Sequence, residues 1–152
     1  AKEEPKVHMT ATDISEEALA TARKNAENNG ADIEFTAGDM LKPLIDSGRK
    51  LDVVVSNPPY ITEQEQMEKS VVDFEPHVAL FGGSDGLKFY RMIFEDCRKV
   101  LKDKAFMAFE MGWDQRERMS ALVEEILPET RYEILKDMNG KDRMLFVYFN
   151  LD

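Results

Sequence analysis

Cysteine is almost absent from this sequence, since Cys97 is its single instance in 152 residues. No disulfide can form within the chain, which is typical of proteins kept in a reducing compartment. The two histidines, His8 and His77, are far apart, and neither has a cysteine or a second histidine at the spacing that metal ligands take. The sequence therefore predicts a cytoplasmic protein without a metal site.

Basic residues are also scarce: 20 lysines and arginines stand against 30 aspartates and glutamates, which gives a net charge of −10 at pH 7. An acidic surface repels nucleic-acid phosphates, so direct nucleic-acid binding is not expected. No apolar run reaches transmembrane length and no signal peptide is recognisable, so no membrane association is expected. The chain begins with Ala1 and stays polar through Lys6, as expected of a segment from a larger protein or of a trimmed chain.

Apolar material is sufficient for one folded core, because 43% of the residues are hydrophobic. Strand-like runs alternate with segments of helical periodicity, which predicts an α/β fold with a mainly parallel sheet in a single domain over residues 1–152. The predicted strands are 7–12, 33–37, 51–56, 105–111, 132–136 and 144–149, and the last two form an antiparallel hairpin. The predicted helices are 15–28, 87–101 and 114–127, with Ser15 and Asp114 as caps and residues 40–50 as a connection.

The most informative stretch is the strand predicted at 51–56 together with the four residues after it, Asn57, Pro58, Pro59 and Tyr60. The strand is apolar on both faces, so we expect it to be buried within a parallel sheet. Proline cannot donate to a strand ladder, and it pushes the preceding residue towards an extended conformation. Asn57 is therefore expected to lie extended at the carboxyl end of the strand, the edge at which open α/β sheets bind ligands.

The residues after this strand suit a planar NH2 group. The side-chain oxygen of Asn57 and the backbone carbonyl of Pro58 can accept its two hydrogens, and the ring of Tyr60 offers a face for stacking. Two acceptors can orient the lone pair of an amide nitrogen towards an electrophilic methyl group, so that positioning and fixed dipoles lower the barrier. The alternative is a rigid turn that only ends the strand.

Acidic residues follow other predicted strands. Asp13 ends the first strand and precedes a helix, where a carboxylate can accept hydrogen bonds from both hydroxyls of a ribose. Asp39 follows Gly38 after the second strand and could accept from the exocyclic amine of an adenine. A capping or turn role remains open for both aspartates. Glu110 and Trp113 flank the end of a later strand, where Glu110 either lines the pocket or packs structurally.

These motifs together make the chain resemble class I S-adenosylmethionine-dependent methyltransferases, and more closely the HemK/PrmC-type protein-glutamine methyltransferases that modify peptide chain release factors. The resemblance covers nearly the whole chain. It rests on residues 12–15 (TDIS), 38–39 (GD), 56–61 (SNPPYI), 74–76 (FEP), 82–87 (GGSDGL), 110–112 (EMG) and 136–143. The NPPY sequence is shared with DNA and RNA amino-methyltransferases, whereas the FEP and GGSDG stretches are more specific. By itself, GGSDG indicates a turn and a helix cap, because no predicted strand leads into it.

The resemblance implies a Rossmann-like sheet of seven strands, mainly parallel with an antiparallel strand near one edge, and S-adenosyl-L-methionine as the cofactor. It also implies methyl transfer to the side-chain amide of a glutamine in the Gly-Gly-Gln loop of a release factor, the partner protein. The cofactor-binding residues that it implies are Asp13, Ile14, Asp39, Met40 and Asn57. The catalytic residues that it implies are Asn57, Pro58 and Tyr60. The substrate-binding residues that it implies are Asn57, Pro58, Pro59, Tyr60, Phe74, Glu75, Pro76 and Glu110.

One part of the family pattern is not found. The first strand and its Gly-rich motif, Asp-x-Gly-x-Gly-x-Gly, should precede the strand at 7–12, but the first glycine of this sequence is Gly30. The family's amino-terminal helical domain has no counterpart either. We therefore expect the carboxyl-terminal portion of such an enzyme, with the first strand missing and weak cofactor binding by this chain alone. Methylation of an exocyclic amine of a DNA or RNA base, and a non-catalytic truncated fragment, are the alternatives.

Overall fold

The fold is described by a computed structural model, which covers residue 4, residues 6–60 and residues 85–151. Predictions that concern residues 61–84, among them the FEP stretch of Phe74, Glu75 and Pro76 and most of GGSDG, lie outside the described residues. The chain divides into two compact units, one that ends at Arg49 and one that begins at Lys50.

The first unit pairs two parallel strands with two helices. Its elements are β1 (Met9–Asp13), α1 (Glu16–Asn29), β2 (Ile33–Ala37) and α2 (Lys42–Asp46). Ser15 caps α1 as predicted, because its hydroxyl accepts the Ala18 N–H at 3.2 Å. Gly30 ends the helix in the left-handed conformation, with φ at 62°.

Residues 40–50, which were interpreted only as a connection, contain the short helix α2. Pro43 is the second residue of this helix, where its fixed φ suits the first turn and its missing N–H would have had no partner. A helix of five residues has too few turns to show an apolar periodicity in the sequence.

The second unit carries a four-stranded sheet with a helical layer. Its elements are β3 (Leu51–Ser56), α3 (Lys88–Val100), β4 (Leu101–Glu110), α4 (Arg116–Ile126), β5 (Arg131–Lys136) and β6 (Asp142–Phe149). The strand order is β3-β4-β6-β5, with β3 and β4 parallel and β6 antiparallel to both of its neighbours. The predicted antiparallel hairpin and the antiparallel strand near one edge are thus confirmed.

The core of the second unit lies between the sheet and α3. Tyr90 and Phe94 of α3 contact the ring of Phe109 in β4 edge-to-face, at centroid distances of 5.9 and 5.4 Å. Met107, Met111 and Met119 are fully buried and belong to the core.

The expectation that β3 is buried on both faces is wrong. Val54 is buried opposite Met107, on the sheet face that α3 covers through Phe109, whereas Val53 and Val55 are 41% and 75% exposed. Successive side chains of a strand point to opposite faces, so an apolar sequence shows that either face can be buried but not that both are. Which face is covered depends on the packing of distant elements.

The predicted start of α4 is also wrong by one residue. The helix begins at Arg116, and Gln115 occupies the cap position that was assigned to Asp114. The Asp114 carboxylate instead pairs with Arg118 at 3.1 Å, one turn further along. Acidic side chains near a helix start are favoured by the helix dipole in several positions, so the sequence alone does not fix which one caps.

Candidate functional site

In the first unit, the two aspartates predicted to hold a nucleoside lie at one edge of the parallel pair. Asp13 is the last residue of β1, and its carbonyl accepts the N–H of Gly38, just after β2, at 2.9 Å. Asp39 follows Gly38, and both aspartates are exposed. Because β1 and β2 are parallel, their carboxyl ends bring the two carboxylates to the same edge.

The Asp13 carboxylate also has a local role. Its Oδ1 accepts the N–H of Ser15 at 2.8 Å, which fixes the turn into α1 and leaves Oδ2 as a second acceptor. The turn interpretation and the ligand interpretation are therefore compatible for this residue, since a carboxylate has about four acceptor sites.

Two apolar predicted residues lie beside these carboxylates in the chain. Ile14 is 60% exposed, and Met40 is half-buried with φ at 43°, its carbonyl accepting the Thr12 hydroxyl at 3.3 Å. Gly38 is required at this turn because a Cβ there would lie 2.3 Å from Cγ of Pro43. Carboxylates next to apolar side chains match what a ribose and an adenine need.

In the second unit, residues 57–60 follow the parallel strand as predicted. Ser56 is the last residue of β3 that pairs with β4, opposite Phe109. Asn57 is exposed, Pro58 is buried, and Tyr60 is half-buried. The amide of Asn57 is thus presented to solvent from a segment whose backbone the prolines hold rigid.

Four polar side chains gather around the end of β4. The Tyr90 hydroxyl donates to the backbone carbonyl of Glu110 at 2.6 Å. Arg143, near the start of β6, places Nη1 3.4 Å from the Tyr60 hydroxyl and 4.0 Å from Oε1 of Glu110. Burial raises the pKa of Tyr90, with smaller contributions from Tyr60 and Glu110. The structure therefore brings Tyr60 and Glu110, two predicted site residues, to one place.

The two aspartates of the 136–143 segment stabilise the hairpin and its packing. The Asp137 carboxylate accepts the N–H groups of Asn139 and Lys141 at 2.8 and 3.0 Å, and the bond from Lys141 is the main cause of the lowered pKa of Asp137. Asp142 forms a two-pronged pair with Arg116 of α4, with both distances 2.6 Å, which lowers the pKa of Asp142.

Gln115 is a residue that the sequence reasoning missed. Its side chain is 2% exposed, and its Nε2 faces the carbonyls of Tyr60 and Gly86 at 3.4 and 3.3 Å. Its Oε1 accepts the N–H of Gly112 at 2.8 Å. One glutamine next to a helix start carries no signal in a single sequence, because its partners are up to 55 residues away.

The last glycine of GGSDG, Gly86, is required by its close approach to Tyr60 and Gln115. Gly86 has φ at 71°, and a Cβ on it would lie 2.5 Å from the carbonyl oxygen of Tyr60 and 2.7 Å from Nε2 of Gln115. Asp85 accepts the Leu87 N–H at 2.9 Å just before α3, in line with the predicted turn and cap.

In the part of the chain that the structure describes, no helix has both the length and the apolar character needed to cross a membrane. Within the same residues, no three histidine, cysteine or acidic side chains come together in a way that could hold a metal ion.

Residues 1–75 match the family model of the methyltransferase small domain. Among solved structures, a methyltransferase from Pyrococcus furiosus superimposes with a TM-score of 0.68 at 21% identity, over 93% of this chain and 62% of that one. A release-factor-specific protein-(glutamine-N5) methyltransferase from Alicyclobacillus acidocaldarius gives a TM-score of 0.54 at 22% identity, over 94% and 80%. These similarities show the Rossmann-like class I methyltransferase fold.

Similarity in sequence is much higher with curated proteins named release factor glutamine methyltransferase. The chain is 47% identical to that of Bacillus subtilis over 95% of its own length and 51% of the relative. The corresponding values are 42%, 94% and 52% for the protein of Staphylococcus aureus. The chain thus spans about half the length of the curated relatives it matches. This identity extends over nearly all of the chain, so the chain is similar in sequence to about half of a release factor glutamine methyltransferase.

Proposed function

We propose that the protein methylates the side-chain amide of a glutamine in the Gly-Gly-Gln loop of a peptide chain release factor, with S-adenosyl-L-methionine as the methyl donor. The observation that carries this proposal is the rigid segment after β3, which presents the exposed amide of Asn57 at the carboxyl end of a parallel strand. The names of the relatives at 42–47% identity support it.

The donor set in the first unit fits the cofactor. Asp13 would hold the ribose through its second carboxylate oxygen, and Asp39 would accept from the adenine amine. Ile14 and Met40 would provide apolar contacts on the same edge. When bound, the cofactor supplies an electrophilic methyl group.

The residues after β3 would bind the target amide. The Asn57 side-chain oxygen and the Pro58 carbonyl accept its two hydrogens, which turns the nitrogen lone pair out of conjugation and fixes its direction. Tyr60 would close one side of the amide site, with Arg143 3.4 Å from its hydroxyl. This mode of catalysis depends on geometry, so the rigidity of the segment is part of the mechanism.

The release factor would contact further residues of this domain. Glu110, at the end of β4, would meet the substrate loop, and its carboxylate lies 4.0 Å from the Arg143 guanidinium, which also contacts Tyr60. Phe74, Glu75 and Pro76 are proposed as substrate contacts on the basis of the family resemblance. Residues 1–152 would form one catalytic domain of a cytoplasmic enzyme, with no direct binding to nucleic acid.

Methyl transfer from labelled cofactor tests this proposal on the full-length protein, with a release factor and with RNA as separate substrates. We expect label on the glutamine of the release factor and none on RNA. Label on RNA alone would replace the proposal with base methylation, and no label on either substrate would favour a non-catalytic role.

Asn57→Ala is the first variant to test. It removes one preorganised acceptor, so turnover should fall roughly a hundredfold while cofactor affinity changes little. Asn150→Gly is a matched control, because it also removes an asparagine amide and lies at the opposite end of the sheet, where it bonds to Asp103. Near-normal turnover of Asn57→Ala would reduce Asn57 to a turn residue.

A further inference from the structure

Residues 57–60 are fixed at both ends. At the amino end, Ser56 is paired with Phe109 of β4. At the carboxyl end, the carbonyl of Tyr60 faces Nε2 of Gln115 at 3.4 Å. The acceptors proposed to orient the substrate amide, on Asn57 and Pro58, lie between these two points.

Gln115 joins three segments that end at the same edge of the sheet. Its Nε2 has two hydrogens and two carbonyls to meet them, from Tyr60 after β3 and from Gly86 before α3. Its Oε1 takes the N–H of Gly112 after β4. Every polar atom of the buried amide therefore forms a hydrogen bond. The two carbonyls also identify the nitrogen of the amide, because only N–H groups can donate to carbonyl oxygens.

The burial of Gln115 makes this arrangement specific. A side-chain amide that is 2% exposed is costly unless it is hydrogen-bonded, so an alternative path of the Tyr60 backbone would leave buried donors without acceptors. Gly86 also packs closely against the Tyr60 carbonyl, with no room for a Cβ between them, and so restrains the same carbonyl.

We propose that Gln115 is a positioning residue for methyl transfer, which fixes the Tyr60 backbone and thereby the direction of the Asn57 and Pro58 acceptors. This inference rests on the proposed function and extends it to a buried residue that is not among those proposed to bind substrate or cofactor. Because reaction rates are sensitive to misplacement on the scale of an ångström, loss of the contact should lower kcat by about tenfold or more.

Two substitutions separate the contacts of Gln115 in the full-length enzyme. Gln115→Glu keeps an oxygen for the Gly112 N–H but turns the two donors towards Tyr60 and Gly86 into acceptors. Gln115→Met keeps the volume and removes all three bonds. Both variants should lose about tenfold or more in kcat per folded molecule, with the cofactor dissociation constant unchanged within about twofold.

Val123→Ala is the control, because Val123 is a buried residue of α4, the helix that Gln115 caps, and its truncation lowers stability without removing any of the hydrogen bonds of Gln115. All variants are compared at a temperature at which unfolding curves show them fully folded. A kcat for Gln115→Glu or Gln115→Met within about twofold of that of Val123→Ala would show that Gln115 only supports the fold.

A second measurement does not depend on the reaction. With isotope-labelled tyrosine rings, the NMR signal of Tyr60, assigned through Tyr60→Phe, should shift or broaden in both Gln115 variants. The signals of Tyr132, which bonds to Glu124, and of Tyr148, which packs on Arg131, should not change.

These readouts distinguish the two proposals. An unmoved Tyr60 signal in both variants would overturn the role of Gln115 even if methyl transfer is observed. A moved signal in an enzyme that methylates no release factor would leave the backbone contact established and refute the proposed substrate instead.

Discussion

Tyr90→Phe tests the contact that ties α3 to the end of β4. The Tyr90 side chain is fully buried, and its hydroxyl is the donor for the backbone carbonyl of Glu110 at 2.6 Å. The substitution keeps the ring and its edge-to-face contact with Phe109, so only the hydroxyl and its bond are lost. The loss of this donor to a partly buried carbonyl should cost about 1 to 2 kcal/mol in the free energy of unfolding.

The effect should be visible in two kinds of unfolding experiment. For a chain of this size, the loss corresponds to a decrease of about 2 to 8 °C in Tm, which a thermal scan by circular dichroism resolves. Urea unfolding at pH 7 should give a lower midpoint with an unchanged slope. Tyr148→Phe, which removes the same atom from a half-buried ring, is the control and should change stability less.

The same residue should shape the response to alkaline pH. Burial raises the pKa of Tyr90 above its usual value near 10, so the folded state holds this proton more tightly than the unfolded state. Its contribution to stability is therefore complete below about pH 10 and is lost as the pH rises towards the higher folded value. In Tyr90→Phe, the decline of stability above about pH 10 should be shallower.

Equal unfolding midpoints for Tyr90→Phe and the unsubstituted protein, together with the same alkaline decline, would refute this reasoning. They would mean that the hydroxyl does not hold the Glu110 carbonyl in solution.

Two further predictions concern local contacts. Arg116 lowers the pKa of Asp142, so the ion pair stabilises the fold at neutral pH and this effect is lost as the pH falls through and below the usual aspartate range. Asp142→Asn should therefore lower the urea midpoint at pH 7 and make the decline of stability in acid shallower. An unchanged acid profile would contradict this. Gly38→Ala should destabilise the first unit because the new Cβ would overlap Pro43. Gly48→Ala should cost only about 1 kcal/mol, because a Cβ there has open space and only the positive φ is strained. Equal decreases in Tm for the two variants would contradict the overlap.

Much of the fold followed from local signals in the sequence. The hydroxyl of Ser15, the glycine at position 30 and the alternation of apolar runs act within a few residues, so they predicted α1 and the order of strands and helices without any tertiary information. The prolines after β3 likewise placed Asn57 at the end of a parallel strand. Asp13, at the end of β1, and Asp39, just after β2, were predicted to share an edge because the carboxyl ends of parallel strands lie on the same side of a sheet.

The tertiary structure decided which contacts hold these elements together. The contacts of Tyr60 with Gln115 and Arg143 span 55 and 83 residues, and no periodicity or local preference encodes pairs at such separations. Burial of one face of β3 and exposure of Val53 and Val55 depended equally on where α3 packs. The sequence by itself determined the local backbone and the residues offered for chemistry, because those follow from interactions between near neighbours. Which groups hold those residues in position was decided only by packing between segments that are distant in the sequence, as in the contacts of Tyr60 with Gln115 and Arg143.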